Sequence, residues 1–222
     1  MDNPRSPLEL LGVLAHHTVQ LSEHLWLSEI YTMEGMLKLH RYGPEGVANV
    51  VVMGGGGMGG FLGPGGGLYH RLGMHLAQRD EGAVVVDYRR PSHLEPSMLD
   101  MVVGGDFAIQ AGARNLITMG HSFGGAVAIS AGTAFSGLCK GVMTFATQSA
   151  GCEMASMLAP TPLVLYHGTN DQILGPENSQ MVAQLAGYGE VRIVEGADHI
   201  LSEVADQYFD DVTSWVAERF AA

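Results

Sequence analysis

Residues 120–124 read GHSFG, with the apolar run NLITMG leading into them and the helix-like GGAVAISAGTAF following. A serine in that setting is held at a sharp strand-to-helix turn, where glycine neighbours avoid clashes that larger side chains would make. Ser122 is therefore expected with its hydroxyl exposed at a helix N-terminus. A serine hydroxyl is a poor nucleophile near neutral pH and needs a base that is itself oriented by a carboxylate. Downstream, HGTNDQIL sets Asp171 just after one apolar run, and GADHIL sets His199 just after the next. Asp198 adjoins His199, but that adjacency is the wrong geometry for a side-on carboxylate–imidazole bond, and it reads as a loop cap. Of the other histidines, His121 beside Ser122 and His167 at a strand end read as structural, and His70 as a helix-surface residue.

A second stretch invites chemistry through its backbone. Residues 50–67 read VVVMGGGGMGGFLGPGGG, and Gly54, Gly56 and Gly59 fit G-x-G-x-x-G after an apolar run. That spacing suggests a dinucleotide phosphate turn, with Asp87 as its ribose-binding acid. Two details oppose it. Asp87 lies 28 residues beyond Gly59 rather than about 20, and Phe61, Leu62, Gly63 and Pro64 intervene before any helical pattern begins. The loop also lacks the lysine of a P-loop. The rival reading is an oxyanion hole made of backbone N–H groups.

The elements that must position these residues follow from periodicity. Leu8, Leu11, Leu14, Ala15, Val19 and Leu25 recur at helical spacing behind Ser6 and Pro7, predicting an N-terminal amphipathic helix from Ser6 to about His24. LWLSEIYTMEGMLKLHRYGP carries two roughly alternating runs hinged at Met33, Glu34 and Gly35, an antiparallel hairpin at a sheet edge. Six short aliphatic runs follow: NVVVM, AVVVDY, NLITMG, GVMTFA, PLVLYHG and EVRIVEG. Continuous apolar runs belong to strands covered on both faces, so this part of the sheet should be parallel. The expected total is eight strands, with helices at Leu68–Gln78, Pro96–Gly112, Gly124–Phe135, Pro176–Ala186 and Leu201–Phe220. Only about fifteen residues separate the run ending at Ala146 from the one starting at Pro162, too few for an inserted lid domain.

With these motifs in this order along almost its whole length, the chain resembles the α/β-hydrolase superfamily. The resemblance implies an α/β fold with a mostly parallel eight-stranded sheet, helices on both faces, an N-terminal antiparallel hairpin and no lid. The expected organisation is an N-terminal helix over residues 1–24 packed on one α/β-hydrolase domain over residues 25–222. Carried over onto matching positions, Ser122 is the nucleophile, His199 the general base and then acid, and Asp171 the orienting carboxylate. VVVDYRRPSHLEP also looks like the strand-four turn of esterase-like members. The glycine run becomes the oxyanion loop after the third strand, where an N–H of Gly55 or Gly56 joins that of Phe123. Many members have a His-Gly pair at the start of this loop; Met53 or Gly54 stands there instead. Met58, Phe61 and Leu62 are candidates for an apolar pocket lining.

Composition bounds the rest. A hydrophobic fraction of 46% with 15% charged residues is that of a globular chain, and 222 residues suit one core. Eleven basic against 23 acidic residues give a formal charge of −12, which disfavours nucleic acid and anionic membrane surfaces as partners. Cys139 and Cys152 have neither the count nor the spacing of a disulfide framework or a zinc site. No signal peptide or membrane-spanning run is read, so a cytoplasmic location is expected. The expected activity is a cofactor-independent serine carboxylesterase that cleaves short-chain esters of small molecules through an acyl-enzyme. A thioesterase, peptidase or perhydrolase would use the same residues, and a ligand-binding homologue with negligible turnover is the non-enzyme alternative.

Overall fold

The computed structural model describes residues 6–222, so residues 1–5 of the expected N-terminal segment lie outside the described residues. The strands are β1 (Val13–Ser22), β2 (Leu25–Thr32), β3 (Gly35–Tyr42), β4 (Asn49–Gly54), β5 (Gly82–Asp87), β6 (Asn115–His121), β7 (Cys139–Phe145), β8 (Leu163–Gly168) and β9 (Glu190–Val194). They form one sheet in the order β1-β2-β3-β5-β4-β6-β7-β8-β9. Strands β4 to β9 run parallel, matching the six aliphatic runs, while β1, β2 and β3 are joined antiparallel and β3 meets β5 antiparallel. The hairpin turns at Met33 and Glu34, where the alternating runs break.

Two expectations are corrected at the N-terminus. The helix ends after one turn, as α1 (Pro7–Leu10), and residues 13–22 form a strand, so the described residues make a sheet of nine strands rather than eight. The expected start holds, with Ser6 as N-cap and Pro7 in the first turn, and Glu9 completes a reciprocal capping box with Ser6. The stop is Gly12, just past the C-cap at φ +61°, a left-handed backbone that glycine adopts without strain. Beyond it, backbone pairing with β2 takes over from the helical spacing of Leu14 and Val19. Every residue of β1 is exposed, so no buried face held that spacing to a helix.

Helices cover both sides of the sheet. Adjacent residues of one strand serve opposite cores: in β4, Val50 and Val52 pack with helices α3 (Leu94–Gln110), α4 (Phe123–Ala134) and α5 (Glu177–Ala186). Val51 and Met53 pack instead with α2 (Leu68–Ala77) and α6 (Ala205–Ala221). This two-sided burial is why the parallel strands read as unbroken aliphatic runs. It also fixes their C-terminal ends as one rigid edge, and the loops leaving β4, β5, β6, β8 and β9 carry all the candidate residues.

Candidate active site

Ser122 sits between β6 and α4 as the N-cap residue, with φ +57° and ψ −118°. A non-glycine residue in such a region stores about 1–3 kcal/mol of strain, which surrounding contacts must hold in place. Here the Ser122 N–H is bonded to the Phe145 carbonyl at 2.8 Å, tying the turn to β7. The glycines of the motif answer to crowding: a Cβ on Gly120 would collide with the Gly124 carbonyl, and one on Gly124 with the Gly55 carbonyl. Phe123 is the first residue of α4, so its N–H has no partner inside the helix and lies at the positive end of the helix dipole.

Asp171 follows β8 and His199 follows β9, and the fold brings the two together. His199 Nδ1 donates to Asp171 Oδ2 at 2.7 Å. The other carboxylate oxygen accepts from the backbone N–H groups of Ile173 and Leu174, both at 2.8 Å. Burial disfavours the Asp171 carboxylate, but the bonds from Leu174, His199 and Ile173 outweigh it and hold its pKa below the ordinary value. With Nδ1 committed to Asp171, Nε2 of His199 is the nitrogen left to exchange a proton. Asp198 does turn away as expected: its carboxylate accepts from the N–H groups of Ile200 and Ser202.

The neighbouring histidines are held by specific bonds. His167 Nε2 donates to the Leu174 carbonyl at 2.8 Å and lies 3.2 Å from Asp171 Oδ2, while Nδ1 accepts from the Ser179 hydroxyl at 2.7 Å. His121 Nε2 donates to the His199 carbonyl at 2.9 Å, so the residue before Ser122 ties β6 to the His199 loop. Burial pushes the His121 pKa down to about 4. Nothing local in the sequence signals that second bond, because its acceptor is a backbone oxygen 78 residues away.

The glycine loop after β4 lies against the start of α4. A Cβ on Gly56 would stand 3.6 Å from Ser122 Cβ, and one on Gly57 would stand 3.9 Å from Phe123 Cβ. The tight places are elsewhere in the loop: a Cβ on Gly55 would come 2.8 Å from the Gly60 carbonyl oxygen, and one on Gly57 would come 2.8 Å from the Ser92 hydroxyl. Gly59 N–H closes a turn on the Gly56 carbonyl at 2.9 Å. Two residues, one ending β5 and one following it, anchor the loop: Asp87 Oδ1 accepts from Gly60 N–H at 2.9 Å, and the Ser92 hydroxyl donates to the Gly57 carbonyl at 2.8 Å. Asp87 thus braces the glycine loop. A buried ion pair steadies the segment after β5, with Arg89 Nε donating to Asp100 Oδ1 at 2.6 Å and Arg89 N–H to Asp100 Oδ2 at 2.8 Å.

Two cavities flank the loop. One, of about 420 Å³, is lined by Ser122, Phe123, Gly57, Ser92, Leu94 and Gln148. The other, of about 310 Å³, is lined by Gly55, Gly56, Gly59, Gly60 and Gly63 with Phe61, Leu62 and His121. Met58 lines neither and is 96% exposed, so of the three expected pocket residues only Phe61 and Leu62 face a cavity here. Phe61 stacks on His40 with ring centroids 4.3 Å apart. Clefts of about 450 and 470 Å³ elsewhere contain none of the candidate residues, so volume does not mark the site. Among the described residues no group of three or more His, Cys, Asp or Glu side chains could hold a metal ion, and no helix is long and apolar enough to cross a membrane.

The chain has the α/β-hydrolase fold. It superposes on Est1E from Butyrivibrio proteoclasticus with a TM-score of 0.75 at 12% identity, covering 88% of this chain and 99% of that one. MGS-MChE2, an α/β hydrolase enzyme from the metagenome of lagoon sediments at Mar Chica, Morocco, gives 0.63 at 16% identity over 91% and 99% of the two chains. The thioesterase domain from the curacin biosynthetic pathway gives 0.61 at 13% identity over 87% and 99%. No protein-family model matches the chain, and no curated protein matches its sequence.

Proposed function

We propose that the protein is a serine hydrolase that cleaves small carboxylic esters through an acyl-enzyme. The observation that carries this reading is the His199–Asp171 bond at 2.7 Å, taken together with the strained backbone of Ser122 at the head of α4. In the proposed cycle Ser122 Oγ attacks the ester carbonyl while His199 Nε2 takes the hydroxyl proton. Asp171 keeps the imidazole in the tautomer that leaves Nε2 free and stabilises the imidazolium. The N–H of Phe123, with that of Gly55 or Gly56, receives the negative charge on the carbonyl oxygen. His199 then returns its proton to the leaving alcohol, and a water molecule repeats the sequence on the acyl-enzyme to release the acid.

Short acyl groups suit the site because residues 146–162, the connection from β7 to β8, hold only a short 3₁₀ turn (Glu153–Met157) and no lid. Among the similar folds one is named an α/β hydrolase enzyme and one a thioesterase domain, which supports acyl transfer and leaves the leaving group to experiment. The test is a fluorophosphonate probe together with p-nitrophenyl acetate turnover. The probe should label Ser122 alone, and Ser122→Ala should lose both labelling and turnover; labelling that survives the substitution would overturn the proposal.

A further inference from the structure

His121 has a second ring nitrogen that the contacts described so far leave unused. Because Nε2 donates to the His199 carbonyl, it carries the ring proton, and Nδ1 of the neutral ring is a bare acceptor. Among the described residues Nδ1 has no hydrogen-bond partner. It faces the glycine loop: a Cβ placed on Gly56 would lie 3.3 Å from Nδ1 and 3.6 Å from Ser122 Cβ. Gly56 thus packs close to both residues, and it lines a cavity together with His121. The 310 Å³ cavity on this side is otherwise lined by glycines, Phe61 and Leu62, so among the described residues His121 supplies its only polar side chain.

We propose that His121 is a specificity-determining residue whose Nδ1 accepts a hydrogen bond from a hydroxyl on the substrate, so that hydroxyl-bearing esters are preferred over their apolar isosteres. This rests on the hydrolase reading above and adds a substrate class to it. Desolvation keeps the ring neutral well below pH 7, so the acceptor persists across the working range. A cavity with one fixed acceptor distinguishes a donor from a methyl group at the same place, because the methyl group leaves that acceptor desolvated and unpaired.

The test compares kcat/KM within two isosteric pairs, hydroxyethyl acetate against propyl acetate and ethyl hydroxypropanoate against ethyl butanoate, which put the hydroxyl on the alcohol or the acyl side. Wild type should favour the hydroxyl member of at least one pair about five- to tenfold. In His121→Phe that ratio should fall to about one. The ratio is taken within each protein, so the general loss caused by freeing the His199 carbonyl cancels. Ring nitrogen-15 spectra should show Nδ1 bare and Nε2 protonated in the free protein. Ratios near one in both wild-type pairs, a preference that survives in His121→Phe, or the opposite tautomer would overturn the proposal. If the variant does not fold, the wild-type ratios and the tautomer decide. Turnover of all four esters without discrimination removes this inference and leaves the hydrolase reading standing; turnover of none removes both.

Discussion

At the scale of single residues, the candidate site is a set of groups whose freedom is removed by named bonds. Asp171 spends one oxygen on His199 and the other on two backbone N–H groups, so the carboxylate cannot rotate without breaking three hydrogen bonds. Groups that act as one unit lose function together. Ser122→Ala and His199→Ala should therefore each lower kcat by at least about a thousandfold, with the double variant barely worse than either. Asp171→Asn should cost less than either alanine change, and Asp198→Asn should cost little because the Asp198 carboxylate accepts from backbone N–H groups and lies outside the His199–Asp171 pair. Steady-state kinetics on the five proteins check this, and additive losses would show that the wrong partners were chosen. The base must also be neutral to accept a proton, so kcat/KM should follow a limb that rises with pH. A flat profile with chemistry rate-limiting would contradict His199 as base.

At the scale of elements, what was legible in the sequence divides by whether burial enforces it. The six parallel strands were readable because each is covered on two sides and must be aliphatic throughout, as Val50 to Met53 illustrate. The placing of Ser122, Asp171 and His199 at strand ends followed from those runs. β1 was not readable: all ten of its residues are exposed, so neither period is selected, and Gly12 was the sole local sign that the helix stops. The anchors of the glycine loop were equally hidden, since Ser92 and Asp87 act on backbone atoms 35 and 27 residues away. Those anchors give a prediction. The Arg89–Asp100 pair holds the segment that carries Ser92, and Asp100→Ala would leave the Arg89 side chain, 2% exposed, without its buried partner. Removing one member of a buried pair costs about 3–5 kcal/mol. Urea unfolding should register that loss, while Ser92→Ala should leave the unfolding midpoint within error and lower kcat by freeing Gly57. Equal stability of Asp100→Ala and wild type would show that the pair does not brace this segment.

At the scale of the whole molecule, two site residues should print separate signatures on the pH dependence of folding. Burial lowers the His121 pKa to about 4, so below the ordinary imidazole value of about 6.5 the unfolded chain takes up a proton that the folded chain refuses. The unfolded state then binds more protons, and stability must fall as pH drops from about 6.5 to about 4, by up to about 3 kcal/mol for this one ring. Asp171 titrates in a different window. Its folded pKa lies below the ordinary value, so its contribution is complete above about pH 4 and is lost as pH falls through the folded pKa. Burial also lowers the pKa of His40 and of His75, which adds to the first window, so wild type alone cannot separate the sources. Variants can. Urea unfolding from about pH 7 to pH 2 should show a shallower slope between about pH 6.5 and 4 for His121→Phe, with its behaviour below pH 4 unchanged. Asp171→Asn should do the reverse, tracking wild type above about pH 5 at a constant offset and converging on it below about pH 4. A constant offset for Asp171→Asn down to the lowest pH would mean that the bonds from His199, Ile173 and Leu174 do not favour the ionised carboxylate. An unchanged slope for His121→Phe would mean that this ring takes up its proton as readily in the fold as in water.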